Sequence, residues 1–167
     1  MKQKTRINIG LLVLVVLVGS VLGIEAWRRA RAERQTVGEV VLTPGSVPIY
    51  LDGQLIAGFQ PTDLEQLSKV SFVDAEQGKT QEGWLLRDVL RLHLQRKRLK
   101  ADSLITVSSS SRNKSARVTW AQADEAANWV MFDLSGRGTL KLVSVLEGLK
   151  TRDQWVQDVD RIEITSK

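Results

Sequence analysis

The feature that most constrains this chain is an uncharged apolar run, INIGLLVLVVLVGSVLGI, from Ile7 to Ile24. As an α-helix this run would be about 27 Å long, close to the hydrocarbon thickness of a bilayer. We therefore predict a transmembrane anchor over residues 7–24, preceded by a basic N-terminal tail over residues 1–6. A charged juxtamembrane linker would follow over residues 25–37, and residues 38–167 would form a soluble domain held at the membrane.

The run has two interpretations, an uncleaved anchor and a cleaved secretory signal. Secretory signals have a shorter apolar region, about 7–15 residues, and end in small residues of the A-x-A kind. Here the run is followed by Glu25, Ala26 and Trp27, which do not form such a cleavage site. Trp27, Arg28 and Arg29 are instead typical of the membrane–water interface. The anchor is favoured, and the cleaved signal remains the alternative.

The orientation of the anchor is not decided by counting basic residues. Three Lys or Arg residues precede the run and four follow it, so the positive-inside rule gives no clear answer. A short basic tail before a lone apolar helix is typical of a tail that stays in the cytoplasm. We therefore predict a single-pass protein of the cell membrane with an extracytoplasmic domain, periplasmic if the source is bacterial. The absence of cysteine fits either side of the membrane.

The net charge of +5 belongs to the membrane-proximal part of the chain. Residues 1–36 carry the whole excess, and the remaining 131 residues are neutral overall. The composition therefore does not indicate a nucleic-acid-binding domain. The basic tail and linker are instead suited to anionic lipid head groups, so the bilayer itself is a predicted partner.

Charge is unevenly distributed within the neutral domain. Residues 37–86 have a net charge of −5, and residues 87–117 have a net charge of +7. Arginine and lysine side chains suit phosphate and carboxylate groups, so the basic segment is a candidate site for an anion or a partner protein. The alternative is a solvated face that pairs with the acidic segments. The candidate residues are Arg96, Lys97, Arg98, Lys100, Arg112, Lys114 and Arg117.

The domain alternates short strand and helix signals. Because no regular alternation of strands with long helices is present, we predict an α+β fold, a mixed sheet with short interleaved helices. Turn signals over Thr43–Ser46 and at Asp52-Gly53 would join the first strands. Predicted strands cover residues 39–42, 47–51, 54–59, 70–73, 104–107, 116–118, 129–134, 139–145 and 159–165. Predicted helices begin near Pro61, with Thr62 or Asp63 as cap, and cover residues 84–94, 119–128 and, as one turn, 152–156.

No catalytic or metal-binding residue is predicted from the sequence. His93 is the only histidine, and no second base, acid or nucleophile lies at a recognisable spacing from it. A histidine at the end of an amphipathic helix is more often a surface or partly packed residue. The chain also has no cluster with the spacing of metal ligands and no glycine-rich phosphate loop.

Several segments, taken in order, resemble the molybdopterin-binding domain of the sulfite oxidase family of oxidoreductases. The segment Glu82–Leu90 is similar to the family's G-v-P-L-x-D-L-L, and Gly138–Val143 is similar to its G-P-L-R-L-V. The resemblance covers most of residues 47–165 and implies the family's α+β fold. The other matching segments are Asp52–Gln54, Thr62–Leu67, Ile105–Ser108, and Trp155 with Ile162–Ile164.

The resemblance implies a molybdopterin cofactor, but the chain departs from the family where the metal is held. The family binds molybdenum through a cysteine thiolate, and this chain has no cysteine. The loop Ser108–Asn113 and Thr139 also replace family motifs. We therefore expect a non-catalytic accessory subunit without cofactor, in a larger membrane complex that could serve electron transfer. The alternatives are a molybdopterin-dependent oxidoreductase and a module that binds anions or lipids.

Overall fold

The computed structural model describes residues 40–94, 99–134, 136 and 138–166. The residues from Val40 onward form one compact unit. The predicted tail, anchor and linker, with Trp27, Arg28 and Arg29, lie outside the described residues, as do Arg96, Lys97 and Arg98. Among the described residues, no helix is both long enough and apolar enough to cross a bilayer.

Strands dominate the described part of the chain, and the helices are short. The strands are β1 (Val47–Leu51), β2 (Gln54–Phe59), β3 (Val70–Val73), β4 (Thr80–Leu85), β5 (Leu104–Ser109), β6 (Lys114–Thr119), β7 (Met131–Leu134), β8 (Leu140–Val143) and β9 (Arg161–Thr165). The α-helices are α1 (Leu86–His93) and α2 (Trp120–Asp124), and 3₁₀ helices span Pro61–Gln66 and Ala126–Asn128.

The described strands form two sheets. The five-stranded sheet has the order β2-β1-β9-β5-β6, and the four-stranded sheet has the order β3-β4-β7-β8. Strands β1 and β9 pair in parallel, and the other neighbours pair antiparallel. The α+β prediction is therefore confirmed. Where the sequence predicted one mixed sheet, the structure has a mixed sheet and a separate antiparallel one.

One hydrophobic cluster joins the two sheets and α1. On β9, Ile162 and Ile164 are fully buried, whereas Arg161, the first residue of the strand, is exposed. The same alternation on β5 buries Ile105 and Val107. Because strand side chains alternate between faces, the five-stranded sheet has one buried face and one more exposed, polar face.

The tight turn between β1 and β2 confirms a prediction from local sequence. Asp52 and Gly53 have φ angles of 50° and 78°, as a two-residue turn with both central residues in the left-handed region requires. The Asp52 side chain also accepts a hydrogen bond from Ser166 N at 2.8 Å. The turn is thereby tied to the chain that leaves β9.

Two predictions of secondary structure in the first half of the domain were wrong. Residues 40–42 form no strand. The segment Trp84–Leu85, predicted as helix, completes β4, and the helix begins only at Leu86. The reason is that β4 pairs with β3 on one side and β7 on the other, and Leu86 N still donates to Val130 O at 2.9 Å. Strand pairing therefore continues through residues that were assigned to a helix by their apolar spacing.

The predicted cap of the helix after β6 is confirmed, but its predicted length is wrong. Thr119 Oγ1 accepts from Gln122 N at 3.2 Å, and Gln122 Oε1 accepts from Thr119 N at 2.8 Å, forming a capping box. The α-helix ends at Asp124 and is followed by a 3₁₀ turn. Trp129 then has a φ angle of 47°, so it ends the helical segment instead of beginning β7.

Two other helix predictions also change. The segment Pro61–Gln66 is a 3₁₀ helix, and its N-cap residue is Gln60. Asp63 lies in the first turn, and its carboxylate accepts a hydrogen bond from Gln60 N at 2.7 Å. The segment 152–156 is a turn followed by an isolated bridge between Val156 and Leu142, so it forms no helix.

Candidate functional site

Strand β6 forms a free edge of the five-stranded sheet in the described chain. Trp120, the residue after β6, donates from its N to the O of Ser103, the residue before β5, at 2.8 Å. The N of Thr119, the last residue of β6, instead donates to the Gln122 side chain. Because backbone groups alternate in direction along a strand, the N–H and C=O groups of Ser115 and Arg117 point away from β5, like those of Thr119. This edge therefore offers backbone donors and acceptors to a ligand.

An open cleft of about 370 Å³ lies along this edge. One wall is the outer side of β6 with the first turn of α2, and the other wall is the segment that follows β8. Polar groups from both walls face the cleft, so it is suited to a polar or charged ligand. The lining residues are Lys114, Ser115, Ala116, Arg117, Gln122, Leu146, Glu147, Gly148, Leu149 and Gln154.

The uncompensated charge of the cleft is positive. Arg117 is exposed, and it forms no ion pair with any described residue. Lys114 Nζ donates to the backbone oxygen of Asp153, which is a neutral group and not a counter-charge. On the opposite wall, Glu147 is paired with Lys150 at 2.8 Å. The β6 edge therefore carries two cations, one on each face of the sheet.

The structure does not bring all the predicted basic residues together. Lys114 and Arg117 line one cleft, whereas Arg112 is paired elsewhere, its Nε lying 2.7 Å from Asp158 Oδ2. Asp158 also accepts from Thr139 Oγ1 at 2.7 Å. Arg112 therefore holds the β5–β6 turn against the loop that contains Asp158. For this residue the alternative interpretation, pairing with the acidic segments, applies. Lys100 is exposed at the start of the segment leading into β5.

The wall opposite β6 is fixed by Trp155, which lies in the core. Its indole N–H donates to Leu149 O at 3.0 Å and to Ser144 O at 3.3 Å. The Phe72 ring meets the indole edge to face at 6.4 Å. Two carbonyl groups of the segment 144–149 are thus held by one buried side chain, which preforms this wall of the cleft.

A buried carboxylate supports the same region and was not identified from the sequence. Asp74 accepts hydrogen bonds from Glu76 N at 2.8 Å, Gln77 N at 3.1 Å and Arg152 Nε at 2.8 Å. Burial acts to raise the pKa of Asp74, but the bonds from Arg152, Gln77 and Glu76 outweigh burial and lower it. Arg152 in turn lies over the Trp155 ring at 5.4 Å. The sequence signal that could have identified Asp74 is its place directly after β3, where Asp commonly forms a turn with the backbone that follows.

His93 is partly packed. Its ring stacks on Phe59 at a centroid distance of 5.6 Å, and its Nε2 is buried with no hydrogen-bond partner among the described residues. Burial lowers the pKa of His93, and the nearby Asp63 carboxylate opposes this effect. The neutral form is therefore the one that the fold favours.

We expect the stability of the protein to fall as the pH is lowered through the range of His93. The folded-state pKa of His93 lies below the ordinary value of 6.5, so the folded protein holds the neutral ring more readily than the unfolded chain does. The domain therefore has its full stability above pH 6.5 and loses the contribution of His93 as the pH falls toward the folded-state pKa. The measurement is the thermal midpoint of the full chain in mild detergent, followed by tryptophan fluorescence. His93→Gln removes the only histidine and should flatten the profile in this window. Equal slopes for both proteins would contradict the assignment.

No family model matches the chain, and no curated protein matches it. The metal ligand that a molybdopterin cofactor needs can be compared with the side chains that this chain offers. Molybdenum in the sulfite oxidase family is held by a thiolate, and the chain has no cysteine to supply one. In the described part of the chain, no three His, Asp or Glu side chains converge as metal ligands would. The available donors therefore do not fit that metal site, and no reaction step is assigned to it.

Proposed function

We propose that this chain is a single-pass, membrane-anchored binding subunit of a larger membrane complex and that it has no catalytic role of its own. Its domain would lie outside the cytoplasm. The observation that carries the proposal is the cleft at the free edge of β6, which combines unpaired backbone groups with the cations Lys114 and Arg117. Such an edge is suited to contact with another protein.

The charge of the edge favours a selective contact. Charged side chains on edge strands normally hinder indiscriminate strand pairing. Lys114 and Arg117 would repel a neutral apolar strand or a basic strand, because their ammonium and guanidinium groups would lose hydration without a counter-charge. A partner with carboxylates at matching positions avoids this cost. The edge is therefore built to discriminate between partners by charge.

The sulfite oxidase-like character of the domain is part of the proposal. It is supported by the order of the matching segments and by the α+β class of the structure. The segment with Trp155 also has a structural role that does not need a cofactor, because its indole holds the segment 144–149. A scaffold of this family without the thiolate ligand would retain protein-binding surfaces, and we infer an association with electron-transfer proteins from the family resemblance.

The native mass of the protein extracted from its own membranes tests this function. We expect a defined assembly much larger than the 18.7 kDa chain after extraction in mild detergent, measured by light scattering on a sizing column. Full-length Gly83→Ala, whose added methyl group would overlap the backbone of β7, keeps the anchor segment but loses the folded domain and serves as control. It should not enter the assembly.

Two results would contradict the proposal. A lone chain in its detergent micelle would show that no stable complex exists. Stoichiometric molybdenum in the purified protein would instead favour the molybdopterin-dependent oxidoreductase. Metal analysis of the same sample therefore separates the binding subunit from the enzyme.

A further inference from the structure

We infer that the β6 cleft receives an extended, acidic segment of a partner subunit, which adds to the five-stranded sheet as a sixth strand beside β6. The inference rests on the proposed function and names its mode of binding. The contact would be made by the backbone groups of Ser115 and Arg117, with the Arg117 side chain selecting for carboxylates.

The backbone geometry of β6 supports strand addition. Ser115 and Arg117 are two residues apart, so their outward N–H and C=O groups repeat at about 6.8 Å along the edge. This is the repeat with which an extended peptide presents its own backbone groups. Ser115 and Arg117 are both exposed, and no described residue is hydrogen-bonded to their outward backbone groups. An added strand would satisfy both positions at once.

The side chains along the edge indicate the sequence pattern of the partner. Ser115, Arg117 and Thr119 share the polar face of the sheet, whereas Ala116 and Val118 are buried on the other face. A partner strand with carboxylates at every second position would place them beside Arg117. Its intervening side chains would turn toward the opposite face, where small or apolar groups fit. The expected segment therefore alternates acidic with small or apolar residues.

The second wall makes the site a groove instead of a bare edge. The segment Leu146–Leu149 lies across the cleft from β6, and Trp155 holds the carbonyl of Leu149. Glu147 on this wall is compensated by Lys150, so it does not cancel the two cations on the β6 side. A preformed groove reduces the ordering that binding requires.

Replacement of Ser115 by proline tests the backbone contact in the intact protein. Proline removes the outward N–H, and an edge position whose N–H points away from the sheet tolerates it. We expect full-length Ser115→Pro to recover at least about tenfold less of the native assembly from membranes, a loss of about 1.4 kcal/mol. Ser115→Ala, which keeps the N–H, should recover it fully.

Charge reversal tests the selection for carboxylates independently of proline. Arg117→Glu should also lower recovery of the assembly, whereas Arg117→Lys should retain most of it, and the wild-type assembly should dissociate as salt is raised. The thermal midpoint of each variant verifies its fold. If Ser115→Pro does not fold, Arg117→Glu and its lysine control decide the result, because Arg117 is exposed.

The outcomes separate this inference from the proposed function. An assembly that forms normally with both Ser115→Pro and Arg117→Glu overturns strand addition and leaves the binding-subunit function standing. A native mass of only two copies of this chain, lost in Ser115→Pro, would show self-pairing of β6 edges and overturns the acidic partner. A lone wild-type chain overturns the function and this inference together.

Discussion

Gly83→Ala is expected to abolish folding of the domain. Gly83 lies in β4, where it pairs with Val70 of β3 and Asp133 of β7. An added methyl carbon would overlap the carbonyl oxygen of Phe132 and would lie 2.6 Å from its carbonyl carbon and 2.9 Å from Asp133 Cα. These are backbone atoms of a paired strand, so they cannot move aside without breaking the β4–β7 pairing.

The expected loss for Gly83→Ala is about 4 kcal/mol or more of the free energy of unfolding, a large share of the stability of a typical domain. Denaturant titration in mild detergent, followed by tryptophan fluorescence, tests it, because the Gly83→Ala protein should show no cooperative unfolding transition. Gly136→Ala is the matched control, because its added carbon would meet no described atom within 4 Å. A Gly83→Ala protein as stable as Gly136→Ala would contradict the close approach of β4 and β7.

Trp155→Ala is expected to destabilise the domain by about 3–5 kcal/mol, the usual cost of removing a buried aromatic side chain. Trp155 is 3% exposed, its ring contacts Phe72, and Lys141 Nζ and Arg152 Cζ each lie 5.4 Å from the ring centre. Its removal leaves a cavity and also frees two carbonyl groups of the cleft wall. Chemical denaturation of the full chain measures the loss.

Trp155→Phe separates packing from hydrogen bonding. Phenylalanine retains most of the ring but cannot donate to the carbonyls of Ser144 and Leu149, so we expect a loss of about 1–3 kcal/mol. Because the same carbonyls position the wall opposite β6, this variant should also weaken the native assembly. Equal losses for Trp155→Phe and Trp155→Ala would show that the hydrogen bonds, and not the packing, dominate.

The parts of the fold that depend on neighbouring residues could be predicted from the sequence. The turn at Asp52-Gly53 and the cap at Thr119 follow from side chains acting within three residues of themselves. The start of α1 could not be located, because Trp84, Leu85 and Leu86 are all buried and leave no periodic pattern at the strand–helix boundary. Apolar residues in succession fit either element.

Contacts between distant segments had no signal in the single sequence. Lys114 and Arg117 were identified as basic candidates, but the opposite wall of their cleft comes from residues about thirty positions later. Asp74 and Arg152 are 78 positions apart, and nothing local to either residue indicates the other. The sequence therefore indicated which side chains carry charge, and the fold decides which of them act together.

The position of β9 has a consequence for the order in which the domain is made. In the five-stranded sheet, β9 separates β1 from β5, and Ile49 pairs with Ile162. The β1–β2 and β5–β6 hairpins therefore do not pair with a common strand until residues 161–165 have been synthesised. Until then their apolar faces need protection from aggregation, and such distant pairing is slow to form. The five-stranded sheet therefore forms as a unit only after β9 is available, and the two hairpins are joined by the last strand of the domain.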